Sequence, residues 1–516
     1  MIPFRAPLED IAFGLRAVAT QAGMQNWDAE FSVEIAGHFA AFAEAELAPL
    51  NSVGDREGAR LENSRVRMPK GFGEAYRLWQ EQGWSGLAAP EAFGGQGADN
   101  LTQAAVSEIF SGANHAFQMT AALVPGAIRV LLRYGSEAQQ QQNIPPLASG
   151  AWLSTMAMTE AEAGSDLSRI RCRADAHGDS WAITGDKIFI SGGDHDLSDG
   201  ILHLVLARTS EEGISGLSLF LCRSERQDGS RNAVMVTRIE EKMGLHASPT
   251  CQLRFDAAEA ELIGKEGGGL MAMFTMMNHA RLDVALQGVA HAARATDIAR
   301  TYAGERVQGK GLTLDQHPDV ARMLDEMDAL SLGARGIAHF AMGVLQAGDA
   351  PDLLEILTPI AKVFCTDAAS KAADLGIQVL GGYGYLEEYG MAQIWRDSRI
   401  CRIYEGANGI HALTLATRLT KQKNPLDALD ATCGAVLEGS EILAGWRRAR
   451  TALEGSQEPR ELADAFMHIT AELVHQFVWS HMAANAEQHS DTARILRLAE
   501  VAKRRQHPPS ICFDAK

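Results

Sequence analysis

The hydrophobic pattern changes from helical to strand-like and back along the chain, and this change limits the possible folds more than any other feature. From about residue 28 to residue 150, apolar residues recur every three or four positions, as in helices. Short alternating or β-branched runs separated by turn residues follow, at 169–176, 180–191, 201–208, 216–222, 234–240 and 250–255. Helical spacing returns after the glycine-rich segment 264–269. The order predicts a helical bundle, a small β domain that is a sheet or a barrel, and a second helical bundle.

The second helical region divides into a bundle and a tail. Three long helices are predicted over 270–304, 318–347 and 353–380, and Pro359 should perturb the third unless it lies in the first turn. Beyond Asn424, the tail contains helices at 441–453, 459–484 and 491–504. A chain of 516 residues is too long for one hydrophobic core. We therefore expect an α+β protein with domains 1–151, 152–265, 266–424 and 425–516.

Composition and motifs argue against several classes of protein. No run approaches the roughly 18–20 apolar residues of a membrane-spanning helix, and the N-terminus lacks signal-peptide character, so a cytoplasmic protein is expected. A net charge of −18 opposes binding to nucleic acid. The seven cysteines are scattered without a CxxC pair, so neither a disulfide framework nor a metal site is expected. No GxGxxG follows a strand, which makes a Rossmann dinucleotide site unlikely.

Two segments of the β region carry side chains suited to ligand binding. Segment 156–166 leaves a strand and supplies hydroxyls, backbone N–H groups and a flexible glycine, which can cradle a polar heterocycle or a pyrophosphate. The alternative is a polar loop capped by Ser165 or Asp166. In segment 187–193, an aromatic and a hydroxyl alternate with aliphatic residues at the end of a strand. The alternative there is a plain hairpin strand.

A third segment, 399–410, places one carboxylate beside an aromatic residue and glycines in a largely apolar setting. A carboxylate with restricted solvation has a raised pKa and can accept a carbon-bound proton near neutral pH. The carboxylate is Glu405. The alternative is a glutamate at a helix boundary that pairs with a nearby arginine, and the residues alone leave both interpretations open.

Together, in this order and at these separations, the three segments resemble the acyl-CoA dehydrogenase family over about residues 75–420. The first is similar to the signature Thr-Glu-Pro-x-Ala-Gly-Ser-Asp, with Ala161 where proline is usual. The second resembles Lys-x-Trp/Tyr-Ile-Thr/Ser-Asn/Gly-Gly, and the third resembles Tyr-Glu-Gly-Thr/Ala-Asn. The resemblance implies FAD as cofactor and Glu405 as the base that removes the α-proton of an acyl-CoA while the β-hydride passes to the flavin.

The resemblance also implies roles for the surrounding residues. Those expected to bind the cofactor are Met156, Met158, Thr159, Gly164, Ser165, Phe189, Ser191, Arg306, Gln308, Gln378, Gly381, Gly382, Ala407 and Asn408. Those expected to bind substrate are Ser165, Arg281, Tyr404 and Gly406. Of the first set, Arg306 and Gln308 resemble a pair that reaches the flavin pyrophosphate of the neighbouring subunit. Gly309 replaces the phenylalanine that usually follows them, and Ala407 lacks a hydroxyl that many relatives direct at the cofactor.

Some family members carry the base on an earlier helix. The matching position here is Ala280 or close to it, which cannot accept a proton. Asp283 lies nearby, but about one turn away and on a different face of the predicted helix. Glu405 is therefore the single candidate.

Residues 4–10, the stretch 266–281 and the tail resemble a longer branch of the family that includes 3-methylmercaptopropionyl-CoA dehydrogenase. Members of that branch usually extend further at the C-terminus, so the tail is expected to be a shortened version. This resemblance implies a short- or medium-chain acyl-CoA substrate, electron-transferring flavoprotein as electron acceptor, and a homodimer in preference to a tetramer, because tail helices can cover a tetramer face.

Two alternatives stay open from the sequence. One is an acyl-CoA oxidase that passes electrons to oxygen. The other is a non-catalytic flavoprotein of the same fold, including its DNA-associated branch. That branch needs a basic face, which the net charge of −18 opposes.

Overall fold

The structure is a computed structural model that describes residues 2–24, 27–178, 180–226 and 228–504. The chain forms two compact units. The first comprises residues 1–44, 100–113 and 281–516, and the second comprises residues 45–99 and 114–280. The division into four domains predicted from the sequence stays a prediction.

The secondary structure of the described residues consists of long helices and short strands. The helices are α1 (Leu8–Ala17), α2 (Ala29–Phe42), α3 (Ala48–Glu57), α4 (Phe72–Glu81), α5 (Asn100–Ala121), α6 (Val124–Tyr134), α7 (Glu137–Ala148), α8 (Gly269–Glu305), α9 (Pro318–Ala347), α10 (Pro351–Leu380), α11 (Met391–Ser398), α12 (Asn408–Thr414), α13 (Thr420–Gln422), α14 (Asn424–Leu437), α15 (Glu441–Glu454), α16 (Ala463–Ala484) and α17 (Thr492–Arg504). The strands are β1 (Arg60–Glu62), β2 (Arg65–Arg67), β3 (Trp152–Ala157), β4 (Arg173–His177), β5 (Ser180–Ser191), β6 (Gly200–Arg208), β7 (Leu217–Arg223), β8 (Val234–Ile239), β9 (Thr250–Ile263), β10 (Val307–Gln308) and β11 (Leu312–Thr313).

The first unit is a helical bundle built around α9 and α10. These two helices pack against each other, α16 and α17 pack on α9, and α14 packs on α10. The middle of α9 is buried all round, as expected for a helix that is enclosed by others. One part of the core joins apolar residues from α8, α9, α10 and α11, including Ile298, Met327 and Met391. The end of α10 and the start of α12 lie in this bundle and position the segment that contains Glu405.

The second unit carries a seven-stranded sheet. Strands pair in the order β6–β4–β5–β9–β7, and β7 pairs with β6, so five strands close into a ring. Strand β3 adds to β6 in parallel, and β8 adds to β9 in antiparallel orientation. Every residue of β6 is buried, so both faces of this strand are covered.

Strand β5 is irregular where its pairing with β9 shifts register between Lys187 and Ile190. Phe189 lies in this irregularity with a left-handed φ of 58°. A bulge of this kind turns a side chain away from the direction that regular alternation would give it. The ring of Phe189 is consequently 60% exposed, although Lys187, two positions earlier on the same strand, is buried.

The predicted fold class is confirmed: a helical region, a β region and a second helical region follow one another along the chain. Strand β5 and helix α9 have the predicted bounds. Three differences concern the β region and the tail. Strand β3 was expected before segment 156–166 but without bounds, helix α14 was not among the predicted elements, and β9 continues to Ile263 because its second half pairs with β5 and β7.

Pro359 lies inside α10, which continues through it from Pro351 to Leu380. The expected break in the helix at Pro359 is therefore not seen. Residues 356–366 are buried, so packing on both sides compensates for the one helical hydrogen bond that proline cannot make.

Among the described residues, no single helix combines the length and hydropathy of a membrane span, and only the bent pair α5 and α6 meets that criterion when taken together. Six cysteines are buried and free, whereas Cys512 lies outside the described residues.

Candidate active site

Glu405 lies in a tight turn, residues 404–408, between a helical turn at Arg399–Arg402 and helix α12. Its φ is 54°, and that of Gly406 is 93°. Left-handed backbone is unusual for a residue with a Cβ atom and costs about 1–3 kcal/mol, so such residues need support from surrounding structure. Gly406 needs to be glycine for a second reason, because an added Cβ would lie 2.9 Å from Nε2 of His411.

The backbone of this turn is held from two helices. Nε of Arg281, on α8, donates to the carbonyl oxygen of Glu405 over 3.3 Å. Nε2 of His411, on α12, lies 3.1 Å from the same oxygen and donates in the tautomer that carries its proton there. The backbone N–H of Glu405 has no hydrogen-bond acceptor among the described residues. A donor is thus available beside the carboxylate.

Glu405 is half-buried, but its Oε2 atom is buried and has no hydrogen-bond partner within the described part of the chain. Burial raises the pKa of this carboxyl to about 7, although Arg281 and Lys362 lower it, and Asp283 raises it further. An unpaired buried carboxylate is costly unless it serves a function. Near neutral pH, this group can accept a proton from a bound molecule.

A buried lysine supports the turn from α10. Nζ of Lys362 donates to the carbonyl oxygen of Gly406 and to Oδ1 of Asn408, each over 2.8 Å. The amide nitrogen of Asn408 in turn donates to Thr366 Oγ1 over 3.1 Å and to Asp367 Oδ1 over 3.0 Å. Arg402 pairs with Asp367 over 2.5 Å. One face of α10 therefore holds both ends of the turn.

Asp283 belongs to a different group of hydrogen bonds. The hydroxyl of Tyr404 donates to Gln287, whose Nε2 donates to Asp283 Oδ2 over 3.1 Å. Ser107 donates to the other oxygen of Asp283. Both carboxylate oxygens of Asp283 thus have donors, whereas an oxygen of Glu405 has none. This contrast favours Glu405 over Asp283 as a base.

In the second unit, segment 156–166 is fixed to β5 by hydrogen bonds. Ile188 N donates to Thr159 O over 2.9 Å, and Nζ of the buried Lys187 donates to Met158 O over 2.9 Å and to Glu160 Oε1 over 2.8 Å. Asp166 caps a short helical turn by accepting from Ser168 N over 3.2 Å. The capped-loop interpretation is therefore correct for Asp166, and the loop also has a rigid connection to the strand.

Three hydroxyl groups of this region remain available. The side chains of Thr159, Ser165 and Ser191 make no hydrogen bond to any residue that the structure describes, and none of the three is fully buried. Ser191 follows Phe189 at the end of β5, and Thr159 is joined to β5 through Ile188. The structure therefore brings together two of the predicted segments, with Met156 and Met158 at the end of β3.

The remaining predicted cofactor-binding residues of the first unit, apart from those in the Glu405 turn, are exposed. Arg306 stacks over the ring of Tyr383 at 5.4 Å from its centroid, and Gln308 lies in the short strand β10. Gln378 is exposed near the end of α10. Gly381 and Gly382 begin the following helical turn, and an added Cβ at either would meet no atom within 4 Å. Open space at these glycines suits the approach of a ligand to the backbone.

Sequence reasoning missed Lys362, His411 and Gln287 as parts of the site. The missed signal for Lys362 is a single lysine within the apolar run 356–365 of a predicted core helix. A buried lysine requires polar partners, and here those partners are the turn that follows Glu405. His411 and Gln287 carry no comparable signal because their spacing suits an ordinary helix.

Comparisons with known proteins identify the family of this chain. Models of the acyl-CoA dehydrogenase N-terminal, middle and C-terminal domains match residues 32–151, 155–258 and 267–420. 3-Methylmercaptopropionyl-CoA dehydrogenase of Ruegeria pomeroyi is 40% identical over 449 residues, which cover 80% of this chain and 76% of that protein.

Solved structures of related proteins have the same fold. Butyryl-CoA dehydrogenase from Megasphaera elsdenii superposes with a TM-score of 0.69 at 26% identity and covers 77% of this chain and 100% of its own. Caenorhabditis elegans ACDH-11 in complex with C11-CoA has the same fold over 97% of this chain and 91% of its own, with a TM-score of 0.82 at 23% identity. The chain is a member of the acyl-CoA dehydrogenase family.

Proposed function

We propose that this protein is an FAD-dependent dehydrogenase that converts a short- or medium-chain acyl-CoA to the trans-2-enoyl-CoA, with Glu405 as the catalytic base. One observation carries the assignment of the base: Oε2 of Glu405 is buried and has no partner among the described residues. The raised pKa of Glu405, about 7, supports the same role, because a base is most effective when its pKa lies near the working pH.

The residues of the second unit fit a flavin. The exposed ring of Phe189 offers an aromatic surface, and the hydroxyls of Thr159 and Ser191 have no partner within the described residues. We propose that these residues, with Met156, Met158, Gly164 and Ser165, hold the isoalloxazine ring and the nearby pyrophosphate. FAD, when bound, supplies the acceptor for the β-hydride.

Arg306 and Gln308 are proposed to reach the flavin pyrophosphate of the neighbouring subunit, and Gln378, Gly381 and Gly382 are proposed to lie at the adenosine end of a cofactor. Arg306, Gln308, Gln378, Gly381 and Gly382 are exposed, and the two glycines face open space. A guanidinium and backbone N–H groups are suitable donors for a pyrophosphate. Ala407 can contribute only its backbone and methyl group.

The chain's own part in the reaction is to orient the acyl group and to move one proton. The free backbone N–H of Glu405 is proposed to donate to the thioester carbonyl, so that it stabilises the negative charge that develops there. The carboxylate of Glu405 then takes the α-proton. Arg281 and His411 keep the backbone of Glu405 in place during this transfer, and Arg281, Tyr404, Gly406 and Ser165 are proposed to contact the acyl-CoA.

The acyl group is proposed to be 3-methylmercaptopropionyl or a group of similar size, on the strength of the Ruegeria pomeroyi relative. We propose electron-transferring flavoprotein as the acceptor of the electrons, and a homodimer in the cytoplasm as the working form. Analytical ultracentrifugation separates a dimer from a tetramer.

The first experiment is anaerobic mixing of the purified protein with a panel of acyl-CoAs, followed by flavin absorbance. Bleaching by one substrate is expected in the unmodified protein and should slow by about 10²–10⁴-fold in Glu405→Gln. Glu211→Gln is the matched control, because Glu211 is an exposed loop residue of the second unit. Bleaching at an unchanged rate in Glu405→Gln contradicts the assignment of the base, and a colourless protein contradicts the flavin.

The same sample tests the oxidase alternative. After bleaching, air is admitted without any other acceptor, and hydrogen peroxide is measured. A dehydrogenase should return to the oxidised state slowly in air and rapidly with electron-transferring flavoprotein. Stoichiometric peroxide release at a rate equal to turnover identifies an oxidase instead.

A further inference from the structure

The part of the turn that follows Glu405 is held by the buried ammonium group of Lys362. Lys362 has 0% exposed surface, and its Nζ atom donates to Gly406 O and to Asn408 Oδ1. A charged group that is removed from water requires hydrogen-bonding partners of opposite polarity. Both acceptors belong to the turn, so the position of the ammonium and the conformation of the turn depend on each other.

We propose that Lys362 is a positioning residue for Glu405, because its contacts with Gly406 and Asn408 fix the left-handed turn that sets the direction of the carboxylate. This inference rests on the proposed function, in which Glu405 is the base. Glu405 has a φ of 54°, a conformation that a residue with a Cβ atom does not retain without external support. The contacts of Arg281 and His411 reach Glu405 O, one peptide earlier, and Lys362 secures the next carbonyl.

Asn408 receives a different role from the one predicted by resemblance. Its amide oxygen accepts from Lys362, and its amide nitrogen donates to Thr366 and Asp367. An asparagine amide has two N–H donors, and both are used within the protein. We therefore assign its side chain to the anchor of the turn and not to the cofactor.

The charge of Lys362 also acts on Glu405. Titratable groups face Glu405 or its turn from several elements. They are Arg281 and Asp283 on α8, Lys362 and Asp367 on α10, Cys401 and Arg402 before the turn, Tyr404 in the turn, and His411 on α12. Burial raises the pKa of Glu405. The positive charges of Arg281 and Lys362 act in the opposite direction and lower it. If one of these two cations is removed, less positive charge counteracts the effect of burial, so the pKa of Glu405 rises.

The test compares Lys362→Met with Lys371→Met in the FAD-loaded enzyme. Both lysines are on α10, but Lys371 is exposed, so the second variant controls for the substitution itself. In Lys362→Met, we expect kcat at high pH to fall by about tenfold or more, because the carboxylate loses its fixed direction. The pKa of Glu405 should also rise by about one unit. Lys371→Met should match the unmodified enzyme in both respects.

Two independent readouts give the pKa. One is the acidic limb of the pH profile of kcat/KM. The other is infrared titration of the protonated carboxyl band that is absent in Glu405→Gln, which does not depend on turnover. If Glu405→Gln keeps full activity, the proposed function fails, whereas the infrared titration still shows whether Lys362 acts on Glu405. The two failures are therefore distinguishable.

Unchanged kcat and an unchanged pKa of Glu405 in Lys362→Met overturn the proposal. A lower melting temperature with both values unchanged also overturns it, since Lys362 would then serve only the fold. If Lys362→Met does not fold, Asn408→Ala is used instead. This variant keeps the charge of Lys362 and its contact with Gly406 but removes its contact with Asn408. In that variant, kcat should fall by about tenfold while the pKa of Glu405 stays in place, and an unchanged kcat overturns the proposal.

Discussion

Arg281 donates from Nε to the backbone carbonyl of Glu405 over 3.3 Å. After burial, its charge is the strongest influence on the pKa of the Glu405 carboxyl, and it lowers that pKa. In Arg281→Met, the acidic limb of kcat/KM should therefore move to higher pH, by about one unit. KM should also rise if Arg281 contacts the acyl-CoA as proposed. Steady-state kinetics across a range of pH measure both effects.

Arg281→Lys is the matched control for charge. It keeps a cation on α8 but replaces the planar group that reaches Glu405 O. The acidic limb should stay close to its original position while kcat falls. A limb that moves equally in both variants would show that charge is not the cause of the shift.

The unmodified enzyme should show an acidic limb near pH 7. Burial raises the pKa of Glu405 to about 7 from an ordinary value of 4.5, and only the carboxylate can take the α-proton. Below the pKa, kcat/KM should fall about tenfold for each pH unit, and above it the value should be flat up to about pH 8, the value to which burial lowers the pKa of Lys362. The profile is measured from about pH 5 to 9 with buffers of constant ionic strength. A limb near 4.5 would mean that Glu405 is hydrated like a surface carboxylate.

Gly406→Ala should impair catalysis more than folding. The φ of Gly406 is 93°, and an alanine Cβ would lie 2.9 Å from His411 Nε2. The turn or His411 must move, at a cost of about 1–3 kcal/mol, which corresponds to about a 5- to 150-fold decrease if it appears in the rate. Single-turnover bleaching of the flavin measures this rate.

Gly409→Ala is the matched control for that substitution. Gly409 is two peptides beyond Ala407 in α12, is exposed, and has no atom within 4 Å of an added Cβ. Its alanine variant should keep the original rate, since alanine favours helix over glycine. Equal losses in the two variants would indicate a general sensitivity of the segment and not a steric requirement at Gly406.

The sequence predicted most of the fold because long helices leave a strong periodic signal. Helix α9 and strand β5 have the predicted bounds. Strand β9 was predicted too short, because its second half alternates less clearly and is defined by pairing with distant strands. Pro359 was expected to disturb α10, but buried neighbours on both sides keep the helix intact. The end of β9 and the continuity of α10 both depend on contacts with residues far away in the chain, and these contacts cannot be predicted from the local sequence.

Site residues could be predicted from the sequence where they belong to a recognisable motif. Glu405, Phe189 and Thr159 could be named because their segments carry specific patterns of residues. Lys362 lies 43 positions before Glu405 and is brought to it only by the packing of α10 against the turn. Asn408 could be named, but its partners Thr366 and Asp367 could not. Its role as an anchor therefore emerged only from the structure.

Arg335→Met should destabilise the first unit strongly. Arg335 and Glu108 are each 1% exposed, and Arg335 donates to Glu108 from Nη2 over 2.6 Å and from Nε over 3.1 Å. Methionine removes the positive charge and leaves Glu108 buried without its main partner. The free energy of unfolding should fall by about 3–5 kcal/mol. Thermal or urea unfolding followed by circular dichroism measures the change.

Arg322→Met on the same helix is the control for this substitution. Arg322 is an exposed residue that pairs with Asp319 over 2.9 Å and with Glu326 over 3.2 Å. Exposed ion pairs of this kind contribute about 0–1 kcal/mol, so its loss should change the unfolding free energy little. Similar losses in both variants would mean that burial of the Arg335–Glu108 pair is not the cause.

The pH dependence of Arg335→Met distinguishes an unpaired buried charge from simple loss of packing. Burial raises the pKa of Glu108, and Arg335 opposes this rise. Without Arg335, the native state holds a proton on Glu108 at pH values where the unfolded state, with a glutamate pKa of about 4.3, has lost it. Stability of the variant therefore falls as the pH increases from about 4.3 through the raised pKa of the native state. The deficit relative to the unmodified protein should be larger at about pH 8 than at about pH 5, and a deficit that is independent of pH would assign the loss to packing around Arg335.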